Sequence, residues 1–117
     1  MAGLTTHVLD TANGCPGNEV ALKLFVVEGD KLTLVKEAVT NSDGRVDSPL
    51  LSEESIAAGT YELHFEAGEY FRGKGVRLPE PAFLDTVVIR FGVADTAAHY
   101  HVPLSISPYA YSTYRGS

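Results

Sequence analysis

Cysteine is nearly missing from this 117-residue chain. The single Cys15 excludes an internal disulfide framework and fits a reducing compartment. Within Asn13-Gly14-Cys15-Pro16-Gly17 it reads as a small residue in a turn rather than a nucleophile. Basic side chains are also few: 9 Lys and Arg against 15 Asp and Glu give a formal net charge of -6. Phosphate binding needs a concentrated basic face, so nucleic acid is set aside as a partner. No apolar run reaches membrane-spanning length. The N-terminus lacks a basic region followed by a hydrophobic stretch, so no signal peptide is expected. With the lone cysteine, this makes the cytoplasm the expected compartment. Internal repeats and low-complexity segments are missing too, and 117 residues suit one domain spanning the whole chain.

What remains is an ordinary globular composition, 44% hydrophobic and 21% charged, which argues against disorder. Short β-rich runs recur between turn signals. Leu4 to Thr11 opens the series, with His7 and Leu9 on one face and Val8 on the other. Ala21 to Glu28 alternates through Leu22, Leu24 and Val26, and Gly29-Asp30 turns it into Leu32 to Thr40. That run alternates through Leu32 and Leu34 and onward to Ala38. Asn41-Ser42-Asp43-Gly44 is a tight turn followed directly by Arg45. Ser52 to Ala58 suggests a short helical turn. Thr60 to Glu66 places Tyr61, Leu63 and Phe65 inward and His64 outward. Ala67 to Lys74 suits a short helix weakened by Gly68 and Gly73. Leu84 to Val93 is a further strand. Seven or eight short strands at this spacing indicate an antiparallel sandwich.

The densest β-forming run is the last, His99 to Ser117. Strand parity puts Tyr100, Val102, Leu104 and Ile106 on an apolar face and His99, His101, Pro103 and Ser105 on the other. Ser107-Pro108 turns the chain into a returning strand, Tyr109 to Arg115. Tyr109, Tyr111, Thr113 and Arg115 alternate there with Ala110, Ser112, Tyr114 and Gly116. A hairpin with one core face and one face of imidazole, hydroxyl and phenol is a candidate site wall. Its ending on an arginine and a free carboxylate suggests that the terminus has a use.

The spacing of His99 and His101 on one strand face can chelate a metal, with His7 as a third nitrogen ligand. No carboxylate or thiolate is evidently placed to assist, so no metal or other cofactor is expected. His64, and likewise His7 and Arg45 taken singly, read as solvated surface residues. Gly73-Lys74-Gly75 lacks the spacing and the following helix of a phosphate loop and reads as a turn.

Three segments together carry a family resemblance: LTTHVLDT at Leu4 to Thr11, TNSDGR at Thr40 to Arg45, and HYHVPL at His99 to Leu104 with the ending Tyr114-Arg115-Gly116-Ser117. In these the chain resembles the 5-hydroxyisourate hydrolases, the transthyretin-related family of purine catabolism. The likeness runs over nearly the whole chain, with Ser105 standing where the family pattern leads one to expect leucine. It implies an all-β, transthyretin-like sandwich of two four-stranded sheets, with one short helix at Ala67 to Lys74. It also implies a homotetramer with active sites in channels between paired dimers, where the polar face of the last hairpin is covered by another subunit.

The implied reaction is hydrolytic opening of the six-membered ring of 5-hydroxyisourate, by attack of water on a ring amide carbonyl. The product is 2-oxo-4-hydroxy-4-carboxy-5-ureidoimidazoline. By the resemblance His7 and His101 activate water and shuttle the proton, which suits imidazole. Arg45 holds the substrate's oxygens with its planar charged fork. Tyr114 also matches a family site position and with Ser112 is assigned to orient substrate or water, and the terminal Ser117, at the end of the matching motif, is assigned to substrate binding. Arg115, of opposite parity, reads as structural. The competing reading is a transthyretin-like carrier without catalysis. A carrier channel for an aromatic ligand is expected to be mostly apolar, which favours the enzyme.

Overall fold

The computed structural model describes residues 2–116. Within them the order is β1 (Gly3–Asp10), β2 (Cys15–Pro16), β3 (Ala21–Glu28), β4 (Lys31–Val39), β5 (Gly59–Glu66), α1 (Ala67–Gly73), β6 (Thr86–Val93), β7 (His99–Ile106) and β8 (Tyr111–Thr113). The strands form two sheets of four, in spatial order β2-β1-β7-β8 and β4-β3-β5-β6. The all-β sandwich of two four-stranded sheets with one short helix is therefore present as expected.

Alternation builds the core. Leu4, Val8, Leu104 and Ile106 of the first sheet and Leu22, Leu24, Leu63 and Phe65 of the second are almost wholly buried, together with Phe71 of α1. Each such side chain contributes about 1.5–3 kcal/mol of burial free energy. An exposed ion pair contributes about 0–1 kcal/mol, so apolar packing between the sheets holds this fold. Because the inward set is fixed on both β1 and β7, the outward set is fixed too.

The pairings are antiparallel except one: β1 and β7 run parallel, from Gly3 opposite His99 to Asp10 opposite Ile106. Thr6, buried between them, donates its hydroxyl to the carbonyl of Val102 at 2.7 Å and adds a side-chain bond to the ladder. In this register Thr5 lies opposite His101 and His7 opposite Pro103. A one-residue slip would turn every one of these side chains to the wrong face.

Four local expectations need correction. The alternation of β4 does not continue from Leu34 to Ala38, because the register with β3 shifts between Leu24 and Phe25. Val35 is the extra residue, so Leu32 and Leu34 pair with Val27 and Phe25, whereas Ala38 pairs with Leu22 on the core side. Cys15 and Pro16 lie beyond the turn, in a two-residue strand against Leu9 and Asp10. β6 begins at Thr86 rather than Leu84, since the carbonyl of Asp85 accepts the Gly68 N–H of α1 at 3.0 Å. The returning strand β8 spans three residues, not seven, because the Ser107 to Ala110 turn closes on itself through the Ser107 N–H and the Ala110 carbonyl, 2.8 Å apart.

Candidate active site

The outer face of the first sheet gathers the candidate residues. Period-two alternation sends Thr5 and His7 of β1 and His99, His101, Pro103 and Ser105 of β7 to this side, each half-buried. Along the other edge of β1 runs the segment from Gly44 to Leu51. The Val8 N–H donates to the Gly44 carbonyl at 2.8 Å, the Leu50 N–H to the Leu4 carbonyl at 2.8 Å, and His7 and Arg45 form an antiparallel bridge. Residues paired across an antiparallel bridge share a face, so Arg45 stands beside His7.

The turn before Arg45 is held by Asn41. Its Oδ1 accepts the N–H groups of Asp43 at 2.9 Å and Arg45 at 3.2 Å. Gly44 has φ of 77°, and a Cβ there would collide with the carbonyl oxygen of Val8. Only glycine combines that backbone with that approach. At the other side of His101, the Gly116 N–H donates to the His101 carbonyl at 2.7 Å. A Cβ on Gly116 would lie 2.7 Å from Cδ2 of the His101 ring. The last described residue thus packs against the imidazole, and Ser117 lies outside the described residues.

Two hydrogen-bond patterns order the imidazoles. His7 Nε2 lies 2.9 Å from the backbone carbonyl of Asp43. A carbonyl can only accept, so Nε2 carries the proton and the Nδ1 lone pair of neutral His7 is open. Thr5 Oγ1 lies 3.1 Å from His99 Nε2 and 2.9 Å from His101 Nδ1. Thr5 was missed as a site residue, although parity alone puts it on the face of His7.

Electrostatics separates His101 from an ordinary surface histidine. Burial lowers its pKa below the usual 6.5, and the positive fields of Arg45, His7 and His99 lower it further. His101 is therefore neutral at neutral pH. A neutral imidazole, an open His7 lone pair and an exposed guanidinium can accept a proton, donate hydrogen bonds and stabilise negative charge on oxygen. Beside Arg45 is a small cleft of about 110 Å³ lined by Thr5, Thr6, Arg45, Val46, Ser48 and Leu50. Among the described residues, no group of three or more His, Cys, Asp or Glu side chains is arranged to hold a metal ion.

The other two described candidates lie apart from this cluster. Ser112 is opposite Ser105 on the same face and exposed, four residues along β7 from His101. That is roughly 13 Å at the rise of a strand. Tyr114, 68% exposed, lines a larger groove of about 410 Å³ with Tyr100, Val102, Thr113, Ile89 and Phe91 at the edge between β6 and β8. The guanidinium of Arg115 lies 4.2 Å from the centre of the Tyr100 ring.

Fold and site together define a sandwich of the transthyretin class whose outer β1–β7 face carries histidine and arginine. The model of the HIUase/Transthyretin family matches residues 4–116, and the chain belongs to that family. It is 59% identical over 117 residues to the 5-hydroxyisourate hydrolase of Pseudomonas aeruginosa, covering 100% of this chain and 93% of the relative. The solved structure of Klebsiella pneumoniae 5-hydroxyisourate hydrolase is 33% identical, with a TM-score of 0.82 and 100% of both chains covered. Sea bream transthyretin in complex with thyroxine has a TM-score of 0.86 at 27% identity, covering 97% of this chain and 93% of that one.

Proposed function

We propose that this chain is a cyclic amide hydrolase that opens 5-hydroxyisourate to 2-oxo-4-hydroxy-4-carboxy-5-ureidoimidazoline in urate degradation. Family membership and the 59% identity to a 5-hydroxyisourate hydrolase support the substrate. The observation that carries the chemistry is the placement of His7, Arg45 and His101 on one outer face by two parallel strands and one glycine turn.

Water adds to the ring carbonyl, the carbonyl oxygen takes up negative charge, and the carbon–nitrogen bond breaks as the nitrogen receives a proton. His7 and His101 supply the proton transfer and hydrogen bonding, and Arg45 supplies the cation for the developing oxyanion. Ser112, Tyr114 and Ser117 are proposed to bind substrate or water. Ser112 and Tyr114 are displaced from His101 within one chain, which favours their contribution from another copy. A homotetramer with sites at the dimer–dimer interface, lying in the cytoplasm, fits this reading. Analytical ultracentrifugation tests the assembly: four copies are expected, and a monomer at working concentration would contradict it.

The carrier alternative rests on the likeness to a transthyretin solved with thyroxine. The polar β1–β7 face weighs against it. The test generates 5-hydroxyisourate in place from urate with urate oxidase and follows its absorbance decay at low protein concentration. Accelerated decay is expected. Decay at the spontaneous rate, from correctly assembled protein with an untagged C-terminus, would remove the enzyme reading.

A further inference from the structure

The hydroxyl of Thr5 links two histidines, and the direction of that link decides what His101 offers to a substrate. One hydroxyl has one proton and two lone pairs; Thr5 Oγ1 has no other hydrogen-bond partner among the described residues, so its proton is satisfied only if Thr5 donates to one ring nitrogen and accepts from the other. Suppose it donates to His99 Nε2. Neutral His99 then carries its proton on Nδ1, an atom that is buried and has no partner among the described residues. That arrangement strands a buried N–H donor, the costlier kind of unpaired group. A doubly protonated His99 strands the same donor and adds a cation to a face that already holds Arg45. In the remaining direction His99 Nε2–H donates to Thr5 Oγ1, and the Thr5 hydroxyl donates to His101 Nδ1. The unpaired His99 Nδ1 is then a bare lone pair.

We propose that Thr5 and His99 form a positioning relay that holds His101 in the tautomer with its proton on Nε2. This rests on the hydrolase reading and divides the work between the two site histidines. His101, with its Nδ1 occupied by Thr5, is a neutral hydrogen-bond donor to the carbonyl oxygen that becomes the oxyanion, acting beside Arg45. His7 is its complement, with Nε2–H tied to the Asp43 carbonyl and Nδ1 open. His7 Nδ1 takes a proton from water as the new carbon–oxygen bond forms. When the carbon–nitrogen bond breaks, its electron pair goes to the ring nitrogen, which takes that proton from His7. The net change is addition of one water, and His101 ends as it began. The fields of Arg45 and His7 that disfavour an imidazolium at His101 are consistent with a role requiring neutrality.

The relay is tested by nitrogen-15 NMR of the histidine rings at a pH where His101 is neutral, without substrate. The expected spectrum shows His101 with an unprotonated, hydrogen-bonded Nδ1 and a protonated Nε2, and His99 with a protonated Nε2. Thr5→Val keeps the side-chain shape and removes the link. It should shift His101 toward the other tautomer and lower kcat by roughly 10- to 100-fold, the scale of losing a partner that orients an imidazole, with KM changed less. Thr5→Ser should restore both. A protonated Nδ1 on wild-type His101 would overturn the proposal, as would Thr5→Val with tautomer and kcat unchanged. If Thr5→Val fails to fold, the wild-type spectrum still decides. The expected spectrum from protein that does not hydrolyse 5-hydroxyisourate would keep the relay and remove the reaction reading instead.

Discussion

Two of the histidines on outward strand faces, His64 and His101, stand on different sheets, and their neighbours give them different surroundings. His64 of β5 donates from Nε2 to Glu62 Oε1 at 2.8 Å, and its ring lies 4.5 Å from that of Phe25. Glu62 in turn accepts from Arg90 Nε at 3.0 Å, so the cluster is balanced by a carboxylate. His101 of β7 is half-buried among Arg45, His7 and His99, with a hydroxyl as its hydrogen-bond partner. The first sets a carboxylate against the ring; the second surrounds the ring with basic groups and resists a proton. A histidine's chemistry is thus set by the charges placed beside it, and these come from strands and turns remote in sequence.

The comparison can be broken most forcefully by substitution. His7→Ala should lower kcat by roughly 10²–10⁴-fold, the contribution of a general base. His101→Ala and Arg45→Ala should each cost about 10²–10³-fold as losses of oxyanion stabilisation. His64→Ala should leave steady-state kinetics within about twofold, because it removes no group from the reacting face. If His64→Ala were as damaging as His101→Ala, the two faces would not differ as described.

Titration sharpens the same contrast on a smaller scale. By NMR, His101 should titrate with a midpoint below 6.5. Arg45→Gln should raise that midpoint, but not to the ordinary value, since burial is the larger cause. Because native His101 resists a proton that the unfolded chain accepts, its contribution to stability falls as pH drops through and below 6.5. Glu62 shows the acidic counterpart: the hydrogen bond from His64, then that from Arg90, holds its carboxyl below 4.5. Its contribution is present above 4.5 and is lost as pH falls through the lowered value. His64→Asn should move the Glu62 midpoint back toward 4.5, read by carboxyl carbon-13 NMR. This is the smallest of the expected effects.

Much of this is legible in the sequence. Parity alone separated His7 from Val8, His64 from Leu63, and His99 and His101 from Tyr100 and Val102, because both sheets bury one face. Arg45 comes in through the family pattern, since its bridge to His7 joins residues 38 apart in sequence and leaves no periodic trace. Thr5 stayed hidden for a related reason. It meets His99 and His101 only through a parallel pairing of the first strand with the seventh, and alternation does not encode register. Val35 escaped because a bulge breaks the period-two rule that made the other strands readable. Tyr114 is grouped with the histidines by the family pattern, yet within one chain it lines a separate groove, and Ser112 shares their face but lies opposite Ser105, four residues along β7 from His101.

The activity proposed for the β1–β7 face is the opening of a purine-derived ring. The most direct measurement supplies carbon-13-labelled urate and urate oxidase and follows the ring-opened carboxylate by NMR, with wild-type protein and with His101→Ala. The carboxylate should appear well ahead of spontaneous hydrolysis with the wild type, and near the spontaneous rate with the variant. Carboxylate at the spontaneous rate with assembled wild-type protein, or equal acceleration by both proteins, would contradict it.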